Sequence, residues 1–241
     1  MNKLFDFLDI ALYFILGGFF IYRGLATTLN VVAKVLFIVI GVFFIIVSIQ
    51  ITKQKKLYQK ALYEINNNIN PAKANELYSQ IVKHDFLKIY TKQRSFFDLL
   101  LLCEMKDFDK VKMILDMNEK IFSSSDEMKL IKYYYLLRVA YSNNDNNGIL
   151  ANYKEISNLL DKGIKCDLFT RNEIDGIAYI AKNQRGDALK AFQSIDLNSL
   201  CPKDKKWILS NLIKVSIGSD KEAYQKQYNN ITKGDNQDVY N

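Results

Sequence analysis

VLFIVIGVFFIIVSIQIT, residues 35–52, is an uncharged run of 18 residues built almost wholly from Ile, Val, Phe and Leu. As a helix rising 1.5 Å per residue it reaches about 27 Å, close to the hydrocarbon thickness of a bilayer. It reads as a transmembrane helix. Working outward, residues 10–52 hold only two charges, Arg23 and Lys34, whereas from Lys53 onward nearly every helical turn carries one. A change that abrupt marks a change of solvent. The part beyond the run, about 190 residues, is long enough to bury a continuous core of its own, hiding roughly 70% of its unfolded surface.

On the amino-terminal side, residues 7–29 form a second apolar stretch whose charges, Asp9 and Arg23, lie near its ends and can snorkel. Gly24, Thr27, Thr28 and Asn30 supply a short turn before residue 31, so the two stretches are expected to be antiparallel neighbours. Lys3, Lys53, Lys55, Lys56 and Lys60 flank the pair on one side, and only Arg23 and Lys34 lie on the other. The positive-inside rule then puts both termini in the cytoplasm, in a multi-pass protein of the cell membrane. A cleaved leader fits less well, because Asp6 and Asp9 stand where its positive charge belongs and a second apolar run follows at once.

Gly17 and Gly18 fall in mid-span of the first stretch and Gly41 in mid-span of the second, as small residues do where membrane helices touch. Asp9 is expected at the cytoplasmic interface, solvated or beside Lys53, and too far from Lys34 to pair with it. Lys53, Lys55, Lys56 and Lys60 are candidates for contact with anionic lipid headgroups.

Beyond Lys53 there are two prolines, Pro71 and Pro202, and no run of alternating apolar and polar residues. The pattern predicts an all-α fold of about ten helices in five pairs, with breaks near residues 66–71, 85, 106–107, 123–126, 143–148, 163–167, 184–187, 198–204 and 218–220. Ser125 or Asp126, Asp187 and Asp220 are the expected N-caps. The second helices of these pairs align: Ala74, Tyr78 and Ile81; Val111, Leu115 and Asn118; Ile149, Tyr153 and Ile156; Ala188, Phe192 and Ile195. Their lead residues stand 37, 38 and 39 apart, a near-constant period of the kind that marks an α-solenoid. A weaker copy surrounds Ala223, with Tyr224, Tyr228 and Ile231 on one stripe.

At these residues the chain resembles the tetratricopeptide repeat (TPR) family. Between residues 170 and 202, Gly176, Tyr179, Ala188 and Phe192 stand at the family's spacing for its small residue, aromatic, Ala and aromatic. The other copies depart from it: their periods exceed the usual length of about 34. Leu62, Leu99 and Leu137 replace the small residue, and Pro202 falls two residues late. The resemblance covers most of residues 57–231. Together with the apolar runs it gives an expected organisation of a transmembrane hairpin (1–56), a TPR-like helical domain (57–232) and a flexible tail (233–241).

The resemblance further implies a protein-binding module whose first helices line a groove, and it carries Gln93, Phe96, Tyr134, Arg138, Tyr141 and Glu173 onto that groove. Aromatics mixed with Arg suit recognition. The expected role is a membrane-tethered adaptor or scaffold for a protein partner. The alternative is an accessory or assembly subunit of a larger membrane complex, such as a transporter or secretion system, in which the hairpin packs on partner helices. An enzyme is the minor alternative.

Other classes find little support. The net charge of +7 comes mostly from Lys scattered among Asp and Glu, with no Arg-rich face for nucleic acid. Cys103, Cys166 and Cys201 are odd in number, far apart and without metal-ligand spacing, as in a reducing compartment. His84 is the one histidine, at an expected helix end, and no phosphate loop, HExxH or GxSxG motif occurs. Acid pairs such as Asp107 with Asp109 and Asp126 with Glu127 match helix N-termini, where the dipole favours them. No catalytic residue, cofactor, metal or small-molecule substrate is expected.

Overall fold

The computed structural model describes residues 3–26, 30–84 and 91–234. Among them are twelve α-helices and no strand: α1 (Lys3–Ala26), α2 (Val31–Asn66), α3 (Pro71–His84), α4 (Thr91–Glu104), α5 (Phe108–Met117), α6 (Glu119–Phe122), α7 (Asp126–Ser142), α8 (Asn146–Asp161), α9 (Arg171–Ala181), α10 (Arg185–Gln193), α11 (Pro202–Val215) and α12 (Gly218–Gly234). The fold is all-α. The chain divides into two compact units, Met1–Ala61 with Glu76–Phe86, and Leu62–Asn75 with Leu87–Asn241.

In the first unit α1 lies along the apolar part of α2, with contacts running in opposite chain directions. A Cβ on Gly24 would come within 3.0 Å of the Lys34 carbonyl, and one on Gly41 within 2.6 Å of the Gly17 carbonyl. Glycine at these positions lets the backbones touch. Phe20 fills the remaining gap, its ring stacked on Phe37 (5.9 Å) and Phe44 (5.7 Å). Gly18 lies off this contact, with nothing near its missing side chain.

α2 is 36 residues long, about 54 Å as a straight helix, and it alone among the described helices is long and apolar enough to cross a membrane. Only 17% of its apolar window is buried, where the core helix of a water-soluble protein is mostly buried. The apolar part of α1, Ala11–Ala26, is shorter than a full span. α2 does not end where its apolar run ends: from Thr52 to Asn66 there is no Gly or Pro, and good helix formers (Lys, Gln, Leu, Ala, Glu) carry it on. Lys53, Lys56 and Lys60 lie exposed on this extension and Lys55 half-buried.

The second unit is built from helices that pack with their sequence neighbours: α4 on α5, α7 on α8, α9 on α10 and α11 on α12, with α8 on α9 and α10 on α11 joining the pairs. Three connections share one turn. After α4, α7 and α9 the chain passes through a residue at positive φ (Lys106, Asn144 and Asn183), and the next N–H (Asp107, Asp145, Gln184) reaches back to the carbonyl of Leu102, Ala140 and Tyr179. This closes the orphan carbonyls of each first helix in the manner of a Schellman motif. Four residues past each turn, Val111, Ile149 and Ala188 are fully or almost fully buried.

Side-chain caps start α5, α7, α8 and α9: Asp107, Ser125, Asp145 and Thr170 each accept from the N–H three residues on. The expected caps at Asp187 and Asp220 are corrected: both lie inside first turns, α10 opening at Gln184 without a side-chain cap and α12 beginning at Gly218. Pro202 starts α11, where its missing N–H costs nothing. The one-turn helix α6, between α5 and α7, was not foreseen in the paired scheme. Gly176 faces the flat side of Phe192, and a Cβ there would sit 2.7 Å from the ring.

Candidate functional site

The site forms around α7. From Tyr134 to Ala140 only Leu136 escapes burial, so this helix is surrounded on nearly every side, and an Arg in it must find partners. Tyr134, Arg138 and Tyr141 follow one another at i, i+4 and i+7 along one stripe, which meets Glu173 of α9 and Trp207 and Asn211 of α11.

Glu173 is the hub. Its Oε1 accepts from Tyr134 Oη (3.2 Å) and from Trp207 Nε1 (2.9 Å). Arg138 lays its guanidinium 4.2 Å over the centre of the Trp207 ring and pairs through Nη1 with Glu104 of α4 at 3.6 Å, while its Nε has no hydrogen-bond partner. Tyr141 donates to Asn211 Oδ1 at 2.5 Å, meets the Trp207 ring edge-on, and carries Lys214 Nζ at 4.4 Å from its ring centre. Phe169 stacks on Tyr134 at 4.6 Å, sealing one end.

Burial dominates the electrostatics. It pushes the Glu173 carboxyl above the usual range, opposed by the charge of Arg138 and by the Trp207 and Tyr134 hydrogen bonds. It raises the Tyr141 phenol to about 12 and holds the Cys103, Cys166 and Cys201 thiols upward, so none of the three is primed as a nucleophile. The three thiols are free. Among the described residues no group of His, Cys, Asp or Glu could hold a metal ion.

Two clefts adjoin this region. One, of about 290 Å³, lies between the loop before α9 (Cys166, Asp167, Leu168, Phe169, Thr170) and Ile195, Leu200, Asp204 and Ile208, with Glu173 in its wall. The other, of about 270 Å³, is lined by Ile180, Asn183, Arg185, Lys214 and Val215. There Arg185 donates to the Val215 and Ser216 carbonyls, closing the end of α11.

Of the residues expected on a groove, the structure brings Tyr134, Arg138, Tyr141 and Glu173 together, and all but half-buried Tyr141 are more than nine-tenths buried. Their contacts are with one another and with α11. Phe96 stands apart on α4, packed edge-on against Phe122. The side chains of Gln93, Asp9 and His84 and the tail from residue 235 lie outside the described residues. Gly17 and Gly41 meet each other, and Gly18 meets neither helix.

Sequence reasoning missed Trp207, Asn211, Glu104 and Lys214. The chain's single tryptophan falls 34 residues after Glu173, itself 39 after Tyr134, a spacing that could have pointed to it. Comparison with known protein families, with curated proteins and with solved structures finds no match to this chain.

Proposed function

We propose that this chain is a membrane-anchored, TPR-like adaptor that binds a protein partner at the cytoplasmic face. The observation that carries it is the network of Tyr134, Arg138 and Tyr141 with Glu173, Trp207 and Asn211, which ties the first helices of three successive pairs together and borders an open cleft with Glu173 in its wall. The shared turns at Lys106, Asn144 and Asn183 and the approach of Gly176 to Phe192 support a repeat architecture. In this reading α1 and α2 form a two-helix membrane hairpin with both termini cytoplasmic. The exposed Lys53, Lys56 and Lys60, with Lys55, then rest near anionic headgroups, each worth roughly 1 kcal/mol close to the surface. Tethering raises the effective concentration of any partner held at the same membrane.

A second reading, a subunit of a larger membrane complex, is favoured by one feature. Gly18 is open, and Ile15, Tyr22 and Leu25 on the same side of α1 are each about two-thirds exposed, a ready surface for another transmembrane helix. Replacing residues 1–52 with an unrelated two-helix anchor separates the two. In-cell crosslinking followed by affinity capture should recover the same stoichiometric partner from either form if the adaptor reading holds. Loss of the partner on anchor replacement favours the subunit, and an unchanged function after deleting the anchor entirely sinks both.

A further inference from the structure

We propose that the cleft beside Glu173 receives a basic side chain, arginine or lysine, from a peptide segment of the partner, with Glu173 Oε2 as its counter-charge. This rests on the adaptor reading and names the chemistry the partner must present.

The cleft has the parts such a ligand needs. Phe169, Ile195, Leu200 and Ile208 give it apolar walls, which suit the methylene stem of a basic side chain. Its carboxylates are Glu173 in the wall and Asp167 and Asp204 beside it. Asp204 is already engaged, holding Lys203 Nζ at 2.5 Å and accepting from Cys201 Sγ, and Asp167 is exposed at the rim. Glu173 is the acid set in the wall itself, and the exposed Asp167 adds to the negative field a cation meets there.

Glu173 is 6% exposed, and its two oxygens are used unequally. Oε1 takes both hydrogen bonds, whereas Oε2 accepts from no described residue and is not among the sealed polar atoms, and Glu173 lines the cleft. A buried carboxylate with a free oxygen is costly unless a donor arrives. The cations nearby do not fill that place: Arg138 pairs with Glu104 and lies over Trp207, and neither it nor Lys203 lines the cleft. A volume of about 290 Å³ sits at the bottom of the range for small-molecule pockets, sized for one side chain more than for a cofactor. The chain as a whole carries +7, so an acidic cleft runs against its general charge and selects locally what the rest of the surface repels.

Trp207 supplies the readout, because the only tryptophan donates its indole N–H to Glu173 itself. The full-length protein in mild detergent is titrated, up to millimolar, with a blocked Gly-Arg-Gly peptide and with its neutral citrulline counterpart, following Trp207 emission. The arginine peptide should give a saturable change, and the citrulline peptide a response weaker by about ten- to a hundredfold, the worth of a charged hydrogen bond. Glu173→Gln keeps an acceptor for Tyr134 and Trp207 and should weaken the arginine peptide by the same factor. On the wild type, where folding is not in question, the arginine peptide should also slow alkylation of Cys166 on the cleft wall. Absence of saturation, an equal response to citrulline, or an unchanged affinity in Glu173→Gln overturns the assignment. Such a failure with partner capture intact leaves the adaptor reading standing, and a specific arginine response with no capturable partner does the reverse.

Discussion

Arg138→Met is the sharpest perturbation of the network. Arg138 is 8% exposed, and its guanidinium pairs with a Glu104 carboxylate that is itself mostly buried, covers the Trp207 ring at 4.2 Å, and lowers the cost of ionising Glu173. Methionine fills a similar volume, so cavity formation is a small part of the effect. What is lost is the positive charge between two buried acids, and breaking such a pair typically costs about 3–5 kcal/mol because the remaining charge has no compensation. Against a total stability of about 5–15 kcal/mol for a domain, that is a large fraction. Guanidinium unfolding of the full chain in detergent, followed by far-UV circular dichroism and by Trp207 emission, measures it. Adding Glu104→Gln and Glu173→Gln to Arg138→Met removes every charge of the set, and a neutral, well-filled replacement is often as stable as the ionic original. The triple variant should therefore recover most of the loss. A single Arg138→Met within about 1 kcal/mol of wild type, or a triple variant no better than the single one, refutes the claim that charge compensation holds this region together.

Three further outcomes are expected. Burial raises the Glu173 pKa in the folded state above its unfolded value, so the folded chain binds that proton more tightly and wild-type stability falls as pH rises from the unfolded to the folded pKa. Glu173→Gln lacks this slope, so its stability relative to wild type should climb across that window and level off above it; a flat difference in urea unfolding from pH 4 to 8 contradicts the assignment. In the apolar helix pair, Gly41→Ala should open the α1–α2 contact, since its Cβ would meet the Gly17 carbonyl at 2.6 Å, while Gly18→Ala meets nothing. Disulfide trapping of a cysteine pair placed at Phe20 and Phe37, whose rings stack at 5.9 Å, should drop for the first variant alone. Gly176→Ala drives a methyl into the face of Phe192, which is fully buried, and should cost about 1–3 kcal/mol in the same unfolding assay.

The apolar run at residues 35–52 was legible because composition alone decides it, and Tyr134, Arg138, Tyr141 and Glu173 were singled out because the register of the family resemblance carried them onto the first helices of neighbouring pairs. What that register did not convey was depth. An open groove and a filled one have the same i, i+4, i+7 pattern, and only the side chains of α11 reveal that Trp207 and Asn211 occupy the space in front of Arg138 and Tyr141. Those two were missed because the family spacing fails at Pro202, two residues out of place, so no register carried into α11. Positive φ at Asn144 and Asn183 matches a residue type that tolerates it, whereas at Lys106 and Ile69 the break was legible from neighbouring residues and the positive φ itself was not. Helix starts followed the same division: Ser125, a real side-chain cap, was found, and Gln184 and Gly218, which open helices without one, were displaced onto the nearest Asp.

One local rule is broken in a telling way. Thr170 followed by Glu173 has the form of a capping box, in which the hydroxyl bonds the N3 amide and the glutamate returns to the N-cap amide. Thr170 does its half, accepting from the Glu173 N–H at 3.2 Å. The Glu173 carboxylate instead bonds residues 39 positions before it and 34 after it, in a place where burial opposes its charge. Stability alone does not favour that exchange, because a neutral glutamine could serve the same two donors without the desolvation. A carboxylate kept there is accounted for if its charge has a use, and the cleft that Glu173 lines is where that use can be exercised. The Glu173→Gln variant thus decides between two accounts with one protein. Stability gained at neutral pH together with a lost arginine response marks a group maintained for recognition at the expense of the fold. Stability lost at every pH marks Glu173 as the structural counter-charge of Arg138 and nothing more.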